Sequence, residues 1–98
     1  MNVSFRQLRA FVRVAESGSF TRTSEQLHLS QPALSYTIRK LEDALGLQLL
    51  ARNTRMVEMT PAGRHFLAQA RRMLRDMEDA VRDARETLAL TRGIIRLS

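Results

Sequence analysis

The sequence predicts a mainly α fold: a helix-turn-helix, a small two-stranded hairpin beside it and a long C-terminal helix. Three observations predict it. Apolar residues recur at three- and four-residue steps in each longer segment, between capping residues and glycine stops. Only His28 and Leu29 separate the second helical segment from the third. From Leu67 to Leu88 a strict three-four alternation runs unbroken.

The segment Ser30–Leu45 organises the rest. Ser30 is a good N-cap, because its hydroxyl can accept from an unpaired amide of the first turn. Pro32 falls in that turn, where a missing N–H costs little. Gly46 suits the left-handed position that ends a helix. Leu34, Ile38, Leu41 and Leu45 form one apolar stripe. The opposite face carries Pro32, Tyr36, Arg39, Lys40 and Asp43, flanked by Gln31 and Ser35. The acids Glu42 and Asp43 come only at its end.

In chain order, Ser4 and Gln7 have capping-box spacing at the start of a first helix. Phe5, Leu8, Phe11, Val12 and Ala15 form its buried stripe, Arg6, Arg9 and Arg13 lie off it, and Gly18 stops it. Ser19 or Thr21 caps a short second helix ending near His28, with Phe20, Leu27 and Leu29 toward the core and Thr23 or Ser24 at the close approach. Two short helices in so tight a turn read as a helix-turn-helix, whose second helix enters the major groove and meets base edges near its N-terminus. A bland three-helix bundle also has a buried stripe, but has no need to keep acids off the front of one helix.

After Gly46, Leu47, Leu49 and Leu50 read as buried. A hairpin of roughly Leu49–Arg52 and Val57–Met59, turning at Asn53 and Thr54, makes a wing with Arg52 and Arg55 near its tip. Such arginines suit phosphates or a narrow minor groove. The residues alone do not choose between this wing and an irregular loop with two solvated cations.

Thr60-Pro61 signals the start of a helix that runs to about Thr91, with Gly93 as terminator. At ~1.5 Å per residue this is a rod of roughly 45 Å, too long for so small a domain to cover. Leu67, Ala70, Leu74, Met77, Val81, Ala84 and Leu88 make a heptad seam that calls for a partner helix, most simply a second copy in a two-fold dimer. Off the seam, Arg72 with Asp76, Arg75 with Asp79, and Arg82 with Glu78 and Glu86 have the spacing of supporting ion pairs. The chain thus divides into a DNA-binding domain at 1–59, a dimerisation helix at 60–92, and 93–98, where Ile94, Ile95 and Leu97 read as the first strand of an absent domain.

Composition narrows the function. Hydrophobic residues make up 44% of the 98, enough for one modest core and not two. The net charge of +6 favours a polyanionic partner, and the cations are all arginine except Lys40. Arginine suits two-bond contacts to phosphates and guanine edges. Without cysteine, disulfides and thiolate metal sites are excluded. No apolar run reaches signal-peptide length or the ~20 residues of a membrane span, so a soluble cytoplasmic protein without membrane contact is expected. His28 and His65 are far apart and have no ligand set or catalytic partners, so neither enzyme chemistry nor a bound cofactor is expected in this chain. RNA binding lacks an aromatic stacking platform. The alternative to DNA binding is a helical protein-interaction module capped by the N-terminal helices; only the DNA-binding reading predicts a gel shift.

Gly18-Ser19-Phe20-Thr21, the run Leu27 to Ser35, Ile38-Arg39-Lys40-Leu41-Glu42, Leu45-Gly46, Arg52, Arg55, Val57 and Thr60-Pro61-Ala62-Gly63 together resemble the N-terminal region of LysR-type transcriptional regulators. The resemblance covers essentially the whole chain in order and spacing. It implies a winged helix-turn-helix and a linker helix that pairs antiparallel with its mate. It also implies a separate C-terminal domain that senses a small-molecule co-inducer, and a tetramer of the full-length protein. Carried over, it gives Ser30, Gln31, Pro32, Ser35, Tyr36 and Arg39 as DNA contacts, with Lys40 beside them. Arg52 and Arg55 would serve the wing, and Thr60 a phosphate. Tyr36 and Thr37 stand where basic or amide residues are common, and Leu50 where Phe is commoner.

Overall fold

The computed structural model describes residues 1–51 and 57–91. Helices α1 (Phe5–Ser17), α2 (Phe20–Leu27) and α3 (Gln31–Leu45) are followed by strands β1 (Leu50–Ala51) and β2 (Glu58–Met59) and by α4 (Pro61–Thr91).

The helix ends follow from local chemistry. The Ser4 amide donates to the Gln7 side chain at 2.9 Å, and the Gln7 amide to the Ser4 hydroxyl at 3.1 Å, closing the capping box. Gly18 and Gly46 end α1 and α3 at φ 69° and 68°. Ser19, rather than Thr21, caps α2 by accepting from the Arg22 amide. His28 ends α2 at φ 57°, a left-handed conformation that a non-glycine residue rarely adopts. The Leu29 amide then bonds the Ser24 carbonyl at 2.9 Å, so the turn into α3 closes within two residues.

The core lies where α1, α3 and the first part of α4 meet. Leu8, Phe11 and Val14 of α1 pack with Leu34, Ile38 and Leu41 of α3, Leu49 and Leu50 of the connector, and Leu67 and Ala70 of α4. The Phe11 and Phe66 rings lie 5.9 Å apart at 43°. Where α2 crosses α1, buried Thr23 shares a 2.8 Å hydrogen bond with Ser17, and Ser24 is buried beside it; both approach closely because both are small.

Four sequence expectations change. The hairpin pairs Leu50 with Met59 and Ala51 with Glu58, so its strands are shorter than the hydropathy pattern suggested. Leu47 is exposed, because the chain leaves the core surface just after Gly46 and returns at Leu49. The seam of α4 is divided: Leu67 and Ala70 are buried in the chain's own core and Leu74 packs against it, whereas Met77, Val81 and Leu88 stand exposed. The expected four-residue ion pairs are replaced. Arg82 pairs with Asp79 one turn back, and Arg71 reaches across to Glu16 of α1 at 3.0 Å. No described helix is long and apolar enough to cross a membrane.

Candidate nucleic-acid interface

Helix α3 presents one surface outward because its other side is fully committed. Leu34, Ile38 and Leu41 have no exposed surface, which fixes the rotation of the helix. Ser30, Gln31, Pro32, Tyr36, Arg39 and Lys40 are consequently exposed, and Ser35 is half-buried on the flank. The sequence pattern placed six of these on this surface or its flank, and the family resemblance added Ser30.

The polar groups on it are arranged rather than merely solvated. Ser30 accepts from the Ala33 amide at 3.1 Å, which leaves its hydroxyl proton free to donate outward. The Gln31 amide nitrogen donates to the Thr21 hydroxyl at 3.1 Å, joining the two helices of the turn. Lys40 lies over the Tyr36 ring, its ammonium 5.4 Å from the centroid, so the ring, 60% exposed, and the cation project together.

The first turn of α3 has no acidic residue. Glu42 faces inward, against expectation. Its carboxylate accepts from the Leu49 amide at 2.8 Å and the Leu50 amide at 3.1 Å, and only 6% of the residue is exposed. A carboxylate can be buried there because two backbone donors meet it. The signal was present: Glu42 continues the stripe of Ile38, Leu41 and Leu45 at helical spacing. Asp43 is therefore the one exposed acid on α3, in its last turn.

Thr60, expected at a phosphate, is half-buried and bonded to its own chain. Its hydroxyl donates to the Gln48 carbonyl and accepts from the Gly63 amide at 2.9 Å. In this arrangement the single proton of the hydroxyl is spent on the chain's own carbonyl. The Thr60 amide bonds the Leu49 carbonyl at 3.0 Å. Gly63 lies against the same carbonyl so closely that a Cβ there would stand 2.0 Å from it. The Gln48–Leu50 segment is thus held from α3 through its amides and from α4 through its carbonyls. Arg52 and Arg55 lie outside the described residues.

Sequence reasoning did not assign Thr21 to the interface. It is exposed, in the first turn of α2, and within hydrogen-bond reach of Gln31. The described residues hold no group of three or more His, Cys, Asp or Glu able to bind a metal.

Comparison with known proteins places this geometry. A family model described as "Bacterial regulatory helix-turn-helix protein, lysR family" matches residues 5–64. The RuBisCO operon transcriptional regulator of Allochromatium vinosum is 43% identical over 101 residues, covering 100% of this chain and 32% of that protein. The HTH-type transcriptional activator AllS of Klebsiella pneumoniae is 54% identical over 67 residues, 68% of this chain and 25% of that one. The chain therefore spans about a third or less of the length of these relatives. Among solved structures, the BenM DNA-binding domain in its benA site 1 DNA complex has a TM-score of 0.84 at 38% identity, covering 89% of this chain and 98% of that one. Vibrio fischeri DarR in complex with DNA has a TM-score of 0.87 at 32% identity, covering 92% of this chain and 31% of that one. The matched residues contain both helices of the turn, the hairpin and the start of α4, in a family of transcriptional regulators rather than enzymes. The chain belongs to the LysR family of bacterial regulatory helix-turn-helix proteins.

Proposed function

We propose that this chain reads double-stranded DNA in a sequence-specific manner for a transcriptional regulator, as a two-fold dimer that inserts α3 of each copy into successive major grooves. The observation that carries the reading is the outward surface of α3. Gln31, Tyr36, Arg39 and Lys40 project from a helix whose rotation is locked by leucines and an isoleucine behind it. Gln31 is suited to adenine and Arg39 to guanine or phosphate, while Ser30 donates to the backbone. On sequence grounds, Arg52 and Arg55 add wing contacts to phosphates or the minor groove. The DNA complexes of BenM and DarR support the choice of partner.

The pairing surface in this reading is the outer part of α4, with Met77, Val81 and Leu88 exposed by 48%, 40% and 49% and Ala84 between them. Leu67 and Ala70 are buried in their own chain's core and Leu74 is half-buried at its edge, so the pairing falls to the residues beyond them. The resemblance to LysR-type regulators further implies, for the whole protein, a domain that senses a small-molecule co-inducer and assembly as a tetramer in the cytoplasm.

The test is enrichment of bound fragments from a random duplex pool, then titration of the enriched duplex against salt with sedimentation in parallel. The reading predicts an enriched two-fold motif, a dimer on the duplex, and an affinity that falls steeply with salt as arginines displace counterions. A self-associating chain that shifts no duplex would instead establish the protein-interaction alternative, which the same exposed residues of α4 favour.

A further inference from the structure

We propose that Thr21 sets the base discrimination exercised by Gln31, by holding its amide in the one orientation that matches adenine. The inference rests on the reading of α3 as the recognition helix. Gln31 is the first residue of α3 and is exposed. A free glutamine there samples several side-chain torsions and can turn either its carbonyl or its amine outward. Pairing with adenine needs both at once, the carbonyl accepting from N6 and an N–H donating to N7.

The bond to Thr21 meets that need. Gln31 Nε2 donates one proton to Thr21 Oγ1 at 3.1 Å, leaving the carbonyl and the second N–H for the base. Both ends of the link are anchored. Ser24, 6% exposed, donates its hydroxyl to the Thr21 carbonyl at 2.8 Å. The Leu29 amide ties the turn to Ser24, and the Ser30 cap fixes the first turn of α3. The amide therefore meets the duplex already ordered, which lowers the entropic cost of binding. Without the Thr21 hydroxyl it can rotate and offer its amine alone, which suits thymine O4 or guanine as well as adenine. Thr21 is thus a positioning residue acting through Gln31.

The experiment selects duplexes from one random pool with the wild-type 98-residue chain, Thr21→Val, Thr21→Ala, Thr21→Ser, Gln31→Ala and the Thr21→Val/Gln31→Ala double variant. Thr21→Val removes the hydroxyl while keeping the shape, and Thr21→Ala repeats the loss with a residue that favours helix. At the position whose preference disappears in Gln31→Ala, both hydroxyl-lacking variants should lose about fivefold of the preference for adenine, the worth of one neutral hydrogen bond. Preferences elsewhere should stay unchanged, and Thr21→Ser should retain the wild-type pattern. In the Gln31→Ala background, Thr21→Val should change nothing further. An unchanged preference in both Thr21 variants would overturn the proposal. So would a uniform loss of affinity that persists without Gln31, which marks Thr21 as a phosphate contact or a folding determinant. A wild-type chain that enriches no sequence would overturn the recognition-helix reading itself, and this inference with it.

Discussion

Leu67 and Leu88 occupy equivalent places on one stripe of α4, yet Leu67 is 8% exposed and Leu88 49%. Ala70 and Ala84 repeat the contrast: Ala70 is fully buried and Ala84 exposed. The sequence gives no sign of the change, because the three-four alternation is as strict after Leu74 as before it. The difference is one of partner. Up to Leu74 the stripe lies against α1 and the rest of the core, with Phe66 on Phe11 and Arg71 bonded to Glu16. Beyond Leu74 the stripe loses that cover: Met77, Val81 and Leu88 are exposed, and Phe5 and Arg9 of α1 face this part of α4 only across an open groove. Periodicity tells which residues share a face; only tertiary packing tells what covers that face. The first part of α4 is architecture, and the outer part is the exposed stretch that the proposed pairing would use.

Substitutions can break or sharpen that contrast. The largest effect is expected at Leu67→Ala, which opens a cavity in the shared core and should cost about 2–5 kcal/mol in urea unfolding. If that loss vanished on dilution to monomer, Leu67 would belong to the pairing surface after all. Glu42→Ala comes next, since it removes the acceptor of two buried amides and should cost about 1.5–3 kcal/mol by the same measurement. A neutral result would mean that water replaces the carboxylate without loss. Val81→Asp should leave the helical circular dichroism of the chain intact while sedimentation shows a monomer at concentrations where the parent chain pairs. Pairing that survives this charge would move the interface elsewhere. Arg82→Ala should be the mildest. Its pair with Asp79 is solvent-exposed, and such pairs contribute at most about 1 kcal/mol. A larger shift in unfolding midpoint would reveal a role beyond that pair.

What was legible in the sequence was what short-range chemistry decides. The Ser4 box, the Gly18 and Gly46 stops, the two-residue turn after α2 and the outward surface of α3 each depend on neighbours within about two turns. The misreadings involve groups whose partner lies farther along the chain. Glu42 was grouped with Asp43 on the polar face because the donors to its carboxylate, the amides of Leu49 and Leu50, become available only when the chain turns back after Gly46. Thr60 was readable as a cap, but its second bond, to the Gln48 carbonyl, depends on how the hairpin closes. Gly63 carried no structural reading of its own in the sequence beyond the Thr60-Pro61-Ala62-Gly63 resemblance, whereas its lack of a Cβ is what lets α4 start against the Leu49 carbonyl. The strand lengths depend on a pairing register, and alternating hydropathy over so few residues cannot fix one.

The central claim is that the exposed side of α3 reads duplex DNA, and Arg39 tests it most directly because the residue is exposed and supports no core contact. The measurement is fluorescence anisotropy of the parent chain and Arg39→Ala on a duplex enriched by the parent, with thermal unfolding as the control. The account predicts an unchanged unfolding midpoint and a binding loss of roughly 1–3 kcal/mol, the worth of a bidentate base contact. Equal affinity of the two proteins for that duplex would contradict it.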